Sequence, residues 1–338
     1  MGQPGFFDLD ERYQSLSKCG DPLEVLAREI PWESFRYPIR KALKKPKKSN
    51  AGRKAFDPVL MFKVIVLQNL YNLSDQQTEF MVRDRLSFMR FLGLGMGDRV
   101  PDEKTIWLFK DTLAGRNVTE KLFARFDEYL TQKGFAARKG QIMDAAIVGV
   151  PKQRNSKEEN QQIKSGEVPD WEENKGRQKD TDARWTKKNG VSYFGYKNHL
   201  STDVKHKLVR KYAVTAASVH DSQAFGRLLD KNNTGKGVWA DSAYRSEEIE
   251  DVLKESYRSQ IHHKGYRGRP LSEAKQRVNH RRSKTRARVE HVFGFQATSM
   301  GGKLIRCVGL ARASHKIGMR NLVYNMCRYT QLLRLKTA

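Results

Sequence analysis

Cysteine is scarce in this chain: Cys19, Cys307 and Cys327 are its only three in 338 residues, far apart and without a C-x-x-C pair. That excludes a cysteine-ligated zinc finger and a disulfide framework, and the simplest reading is three reduced thiols in a cytosolic protein. Long apolar runs are missing too. The strongest, Val59 to Leu67, is interrupted by Lys63 and falls short of the ~20 residues a bilayer span needs, so no membrane is expected. The opening MGQPGFFDLDER lacks a charged-then-apolar signal pattern, and Phe6 stands where a myristoylation motif requires Ser or Thr. The third shortage is acid: 38 Asp and Glu face 64 Lys and Arg, a net charge of +26. Such a surplus implies a polyanionic partner, because each phosphate contact releases condensed counterions. Charge alone separates neither DNA from RNA nor either from acidic lipid.

The organisation that is present changes character along the chain. Residues 1–35 form a mixed segment with turn signals at Gly20-Asp21-Pro22 and Ile30-Pro31. Residues 36–54 carry nine basic residues and no acid, broken by Pro46 and Gly52, and read as an extended arm or linker. It is either a solvated loop or a DNA-backbone contact. Residues 55–135 read as a helical domain. Helix starts are marked by Asp57-Pro58, Ser74-Asp75 and Pro101-Asp102, and by Asn117 with Glu120 as a capping box. Such helices suit a small bundle or a helix-turn-helix-like DNA-binding module. The helix from Asp102 to Leu113, with Lys104 and Lys110, is the preferred reader of DNA.

From Gln141 the pattern turns to strands. The first covers residues 141–150, and a polar insertion, 152–189, follows that is either disordered or functional. Strands are expected at 193–204 and 208–218, a helix at 221–231, a strand at 237–244, a helix at 246–256 and a strand at 259–263. Later helices should contain Arg286 to Phe295 and run from about Ser314 to Leu335. This order predicts an α/β fold over residues 138–338: a ribonuclease H-like mixed sheet with flanking helices, preceded by an all-α domain.

Three acids stand in unusual settings: Asp144 in QIMDAAIVGV, Asp241 in GVWADSAY and Glu290 in TRARVEHVF. A carboxylate in a strand core loses hydration that only hydrogen bonds, a cation or a metal can offset. Two strand acids and a helix acid can converge on a metal pair about 4 Å apart, which suits phosphodiester cleavage. Each also has a structural reading. Asp144 could be satisfied by backbone amides, Asp241 could cap the next helix, and Glu290 could pair with Arg286 four residues back. Lys197 and His199 alternate with Gly195 on one strand face and could point toward the site; His291 could support Glu290 or simply pack. His262 and His263 are adjacent on a strand and so point to opposite faces, which argues against a shared zinc. Eleven basic residues between Arg258 and Arg288, against Glu273 alone, suit a DNA backbone.

With these motifs in order, the chain resembles the bacterial insertion-sequence DDE transposases of the family named after insertion sequence five. The likeness covers roughly residues 55–335. It rests on the helical stretch VLMFKVIVLQNLYNLSDQQTEFMVRDRLSFMRFLGL with PDEKTIWLF, on MDAAIV, YFGYKNHLSTD and WADSAY, and on RARVEHVFG and NLVYNMCRY. The resemblance implies that Asp144, Asp241 and Glu290 bind Mg²⁺, with Mn²⁺ able to substitute. It gives Arg286 the family arginine's place, with Arg288 beside it, and makes Tyr244 the aromatic after the second aspartate, a candidate for stacking near the cut. It further implies a homodimer on double-stranded DNA, both element ends and target, in the bacterial cytoplasm at the nucleoid. Ser283 and Ala297 stand where the related signature has Tyr and Lys, leaving Gln296, Lys303 or another residue as the substitute, which the sequence does not single out. The rival readings are a structure-specific nuclease or resolvase on the same fold and a catalytically silent DNA-binding regulator.

Overall fold

The computed structural model describes residues 8–44, 54–266 and 268–337. The chain separates into two units, Met1–Phe126 with Leu322–Ala338, and Asp127–Asn321. The first is helical, holding α1 (Asp8–Lys18), α2 (Pro22–Glu29), α3 (Arg36–Leu43), α4 (Pro58–Leu70), α5 (Asp75–Asp84), α6 (Leu86–Leu92), α7 (Glu103–Gly115) and the start of α8 (Val118–Gln132). The Asp57 side chain accepts from the amides of Val59 and Leu60 at 2.8 and 3.0 Å, and Pro58 fills a first-turn position that needs no donor. Phe62, Val64, Ile65, Val66 and Leu67 are all fully buried, as a helix apolar on every side must be. Lys63 escapes this core by donating Nζ to the Phe91 carbonyl at 3.1 Å, with its charge over the Trp32 ring.

Two local expectations change in this unit. The basic segment opens as α3 rather than as an extended arm, because Ile39 and Ala42 supply a buried face and Arg36 ion-pairs with Glu33 and Asp57. Residues 45–53 of that segment lie outside the described residues. Asn117 takes a left-handed φ of 49° before α8 instead of the extended geometry of a capping residue. Among the described residues no helix is long and apolar enough to cross a membrane.

The second unit is built on a sheet. Its elements are β1 (Gln141–Gly149), α9 (Lys157–Ser165), α10 (Glu173–Gly176), β2 (Arg184–Lys188), β3 (Val191–Asp203), β4 (Val209–Ala216), α11 (Phe225–Leu228), β5 (Gly237–Trp239), α12 (Glu247–Ser256), β6 (Arg258–Ser259), α13 (Glu273–Arg286), α14 (Glu290–Thr298) and the first part of α15 (Leu310–Thr337). The strand order is β2-β3-β1-β5-β6, with β4 also paired to β3. β1 runs antiparallel to β3 and parallel to β5, which is parallel to β6. This mixed sheet with flanking helices is the ribonuclease H-like arrangement. Two glycines beside the ends of β1 are required by close approach. A Cβ on Gly140 (φ 92°) would lie 2.4 Å from the Gly237 carbonyl oxygen, and one on Gly195 (φ 152°) 2.3 Å from that of Val148.

The polar insertion is folded. Ser156 and Glu159 form a capping box for α9, and Trp171 donates Nε1 to Glu159 at 2.6 Å while Lys175 and Lys179 approach its ring. The helix expected at 221–231 shrinks to a 3-10 turn, Asp221–Ala224, followed by α11. The chain leaves it where the Asp230 amide turns to donate to the buried Gln141 side chain at 2.9 Å. β5 stops at Trp239, because Asp241 leaves the ladder to cap the 3-10 turn Ser242–Tyr244. β6 itself covers only Arg258–Ser259, shorter than expected, but the amides of Gln260 and His262 carry the bonding on to the carbonyls of Val238 and Ala240 at 2.8 and 3.1 Å.

Candidate active site

Sheet register brings the first two acids together. Ile142 on β1 pairs with Trp239 on the parallel strand β5, so two residues further along each chain stand Asp144 and Asp241. Neighbouring strands lie about 4.8 Å apart, and residues two apart share a face. That face is identified by its packing: Ile142, Val204 and Val289 form one buried cluster, with Trp239 and Phe293 against it. Val289 immediately precedes Glu290, so the packing that seats α14 on this face fixes where the third acid begins. The opposite face carries Met143, Ala213, Phe225, Val238, Ala240 and Tyr244.

One cationic group lies between the two aspartates. Arg286 Nη1 is 3.5 Å from Asp144 Oδ2 and 3.9 Å from Asp241 Oδ2. Asp144 Oδ1 also accepts from the Ala145 amide at 2.8 Å, and Asp241 Oδ1 accepts from the Ala243 amide at 2.9 Å. The structural readings of these acids thus hold alongside their convergence. Burial pushes the Asp144 pKa up to about 6, against the pull of Arg286 and the Ala145 amide; Asp241 and then Glu290 add to the rise.

The pairing of Glu290 with Arg286 expected on one helix face is not found. Helix α13 ends at Arg286, and the amides of Arg288, Val289 and Glu290 bond three residues back, to Thr285, Arg286 and Ala287. A 3-10 turn advances three residues per turn, so residues four apart no longer stack. Arg286 is directed to the aspartates, and Glu290 is exposed at the first position of α14. Arg288 donates Nη1 to the Val204 carbonyl at 2.8 Å, pinning this turn to the end of β3.

The other candidates separate. Asp144 pairs across the ladder with Leu200, which leaves Lys197 and His199 on the opposite face. There Lys197 Nζ reaches Asp221 Oδ1 and the Val219 carbonyl, both at 2.8 Å, and His199 Nε2 meets the Thr215 hydroxyl at 2.8 Å. Burial lowers the His199 pKa to about 4. Tyr244 is fully buried, so it offers no ring for stacking on a nucleotide; burial raises its pKa, and nearby Asp221, Asp144 and Asp241 add to that. His291 is exposed, as is Lys104, while Lys110 is ion-paired with Asp75. Gln296 is no stand-in for the missing lysine. It is buried and donates to Asn321 at 2.8 Å, and Asn321 and Asn198 exchange two bonds of 3.0 Å. This amide cluster ties α14, β3 and α15 together.

Sequence reasoning weighs His262 only as half of a zinc pair with His263, not as a neighbour of the acids. It is half-buried, its imidazole is 3.4 Å from the Ser283 hydroxyl, and its pKa is lowered by burial and by Arg286, with Asp241 opposing. The signal is present in strand alternation, which excludes a His262–His263 pair but leaves one of them to face the acids. Among the described residues no group of three His, Cys, Asp or Glu is assembled to hold a metal. The donor chemistry nonetheless suits a hard cation, since two carboxylates converge on one positive group, the Arg286 guanidinium.

Comparison with known proteins shows the family. The family model described as transposase DDE domain matches residues 136–326, more than half of the chain, and the transposase domain (DUF772) model matches residues 11–112. The chain therefore belongs to the DDE transposases and is a DNA transposase. A similar solved structure is a piggyBac transposase synaptic complex with hairpin DNA, at 13% identity and a TM-score of 0.46, covering 94% of this chain and 75% of that one.

Proposed function

We propose that this transposase binds the ends of its insertion sequence and uses Asp144, Asp241 and Glu290 for metal-dependent strand cleavage followed by strand transfer. The observation that carries the reading is the parallel register that sets Asp144 beside Asp241 around one cationic group, on the face where Val289 seats the Glu290 helix. Asp144 and Asp241 would hold a divalent cation, Mg²⁺ or Mn²⁺, with Glu290 closing on it from the start of α14. When bound, such a cation polarises the scissile phosphate and lowers the pKa of an attacking water. The Ala145 and Ala243 amides each occupy Oδ1 of one aspartate, which leaves Oδ2 of both turned toward Arg286 and the place an ion would take. Exposed Lys104 on α7 and the basic helix α13, none of whose residues is fully buried, supply phosphate contacts. Joining two ends calls for two protomers, so a dimer on DNA belongs to this reading.

The test is incubation with candidate element ends and Mg²⁺ or Mn²⁺, with the cut strands mapped. Asp144→Ala, Asp241→Ala and Glu290→Ala should each abolish cutting while end binding at matched salt is kept. Cutting by the Asp144→Ala protein would overturn the mechanism. Cleavage without joining of the cut ends to target would instead make the chain a nuclease.

A further inference from the structure

Arg286 differs from Arg210, which among the described residues of this unit also meets two carboxylates. Arg210 is closed in: its side chain is 2% exposed and lies 2.7 Å from Asp127 and 3.1 Å from Asp203. Arg286 is 26% exposed, and its distances of 3.5 and 3.9 Å exceed those of a hydrogen bond. It is held by charge, without the fork geometry that locks a guanidinium onto a carboxylate. It is also the last residue of α13, where the backbone changes from α-helical to 3-10 bonding, so its side chain is not clamped within a regular helix.

We propose that Arg286 is the resident counter-cation of the paired aspartates: its guanidinium holds the place between Asp144 and Asp241 until a divalent ion enters, and must move out for that ion to bind. This rests on the reading of Asp144 and Asp241 as metal ligands. Two carboxylates side by side, one largely buried, repel each other unless a positive charge intervenes. A guanidinium suits that task, since it is weakly hydrated and permanently charged. A hard divalent ion needs the same oxygens at about 2.0–2.6 Å. Ion and guanidinium therefore exclude each other, and each weakens the other's hold by the same factor. Arg286 thus sets the metal affinity of the DNA-free protein, and metal loading releases a charged five-donor group beside the reacting phosphate.

The test is Mn²⁺ binding to the full chain without DNA, followed by the electron paramagnetic resonance of the free ion. Arg286→Gln should bind Mn²⁺ about tenfold more tightly than the wild type, equivalent to ~1.4 kcal/mol. Asp144→Asn should lose most of the binding in either background. Equal or weaker Mn²⁺ binding by Arg286→Gln, with binding still dependent on Asp144, overturns the counter-cation role and leaves the metal site standing. Binding that ignores Asp144→Asn overturns the metal site itself, and the counter-cation role with it. A second measurement needs no folded Arg286 variant. In the wild type the Arg286 Nε–H resonance should shift when Mg²⁺ is added, and should stay fixed in Asp144→Asn. A resonance unmoved by saturating Mg²⁺ in the wild type refutes the displacement.

Discussion

Replacing Asp144 by Asn should make the metal-free protein more stable at neutral pH, although on the proposed reading it removes a catalytic residue. Burial raises the Asp144 pKa from 3.8 to about 6, a rise that corresponds to about 3 kcal/mol. The sign follows from linkage. The folded state holds this proton more tightly than the unfolded state, so between pH 3.8 and about 6 it binds more protons, and stability falls as pH rises through that window. Above it the full penalty persists. The substituted amide would not titrate, and its oxygen can still accept from the Ala145 amide, as Asp144 Oδ1 does at 2.8 Å. Part of the gain is offset, because an amide donor would then face Arg286 Nη1, now 3.5 Å from Asp144 Oδ2. A net gain of about 1–3 kcal/mol at pH 7.5 is expected, a rise of several degrees in melting temperature at roughly 2–4 °C per kcal/mol. The assay is thermal unfolding of both proteins in EDTA from pH 4 to pH 8. The curves should converge at the acid end and separate through the window; Mg²⁺ should then raise the wild type alone. A difference independent of pH, or a variant less stable at pH 7.5, would refute the reasoning.

Two further substitutions probe positions whose roles the structure separates from the site. Tyr244→Phe removes a buried hydroxyl that has no hydrogen-bond partner among the described residues, so stability should hold or rise slightly and DNA cutting should be unchanged. A large loss of cutting would restore a direct role for the ring's hydroxyl. Asn321→Ala strips partners from Asn198 and Gln296 at once and should cost about 1–3 kcal/mol in unfolding measurements; a neutral outcome would mean that the amide cluster does not brace α14.

The acids are legible because their setting is anomalous. A carboxylate inside QIMDAAIV or after GVWA contradicts the apolar character of a buried strand, and that contradiction survives without knowing the fold. What joins them is not legible, since strand order is a long-range property. Nothing local in either segment says that Ile142 pairs with Trp239. The same limit misdirects His199 and Lys197. Alternation within β3 places them together, but only the pairing of Asp144 with Leu200 shows that they share the face away from the acids. At Arg286 the segment RARVEHV reads as unbroken helix. The break comes from tertiary anchors, Val289 in the core beneath the acids and Arg288 bonded to the Val204 carbonyl. Tyr244 misleads because an aromatic after an acid suits a ligand-facing ring as well as a core residue, and burial is not encoded in that spacing.

Two aspartates of this sheet differ in how far their own fold satisfies them. Asp203, paired with Gln141 at the start of β1, has a side chain 0% exposed and accepts from the amides of His206 at 2.6 Å and Leu208 at 3.2 Å, and from Arg210 at 3.1 Å. Its lone pairs are spent on the hairpin it closes, and Arg210 is itself held by Asp127 and the Phe135 carbonyl. Removing Arg210 would leave a buried charge unpaired, at a cost of about 3–5 kcal/mol. Asp144, further along β1, receives one amide and a guanidinium too distant to hydrogen-bond. The free energy of burying it is therefore only partly recovered within the protein. On the proposed reading, a divalent ion would supply the missing charge and recover the rest, so that the cost of the metal-free site would become affinity for the ion. Of the two, the acid less satisfied by its own fold is the one that the proposed function sets to work on DNA.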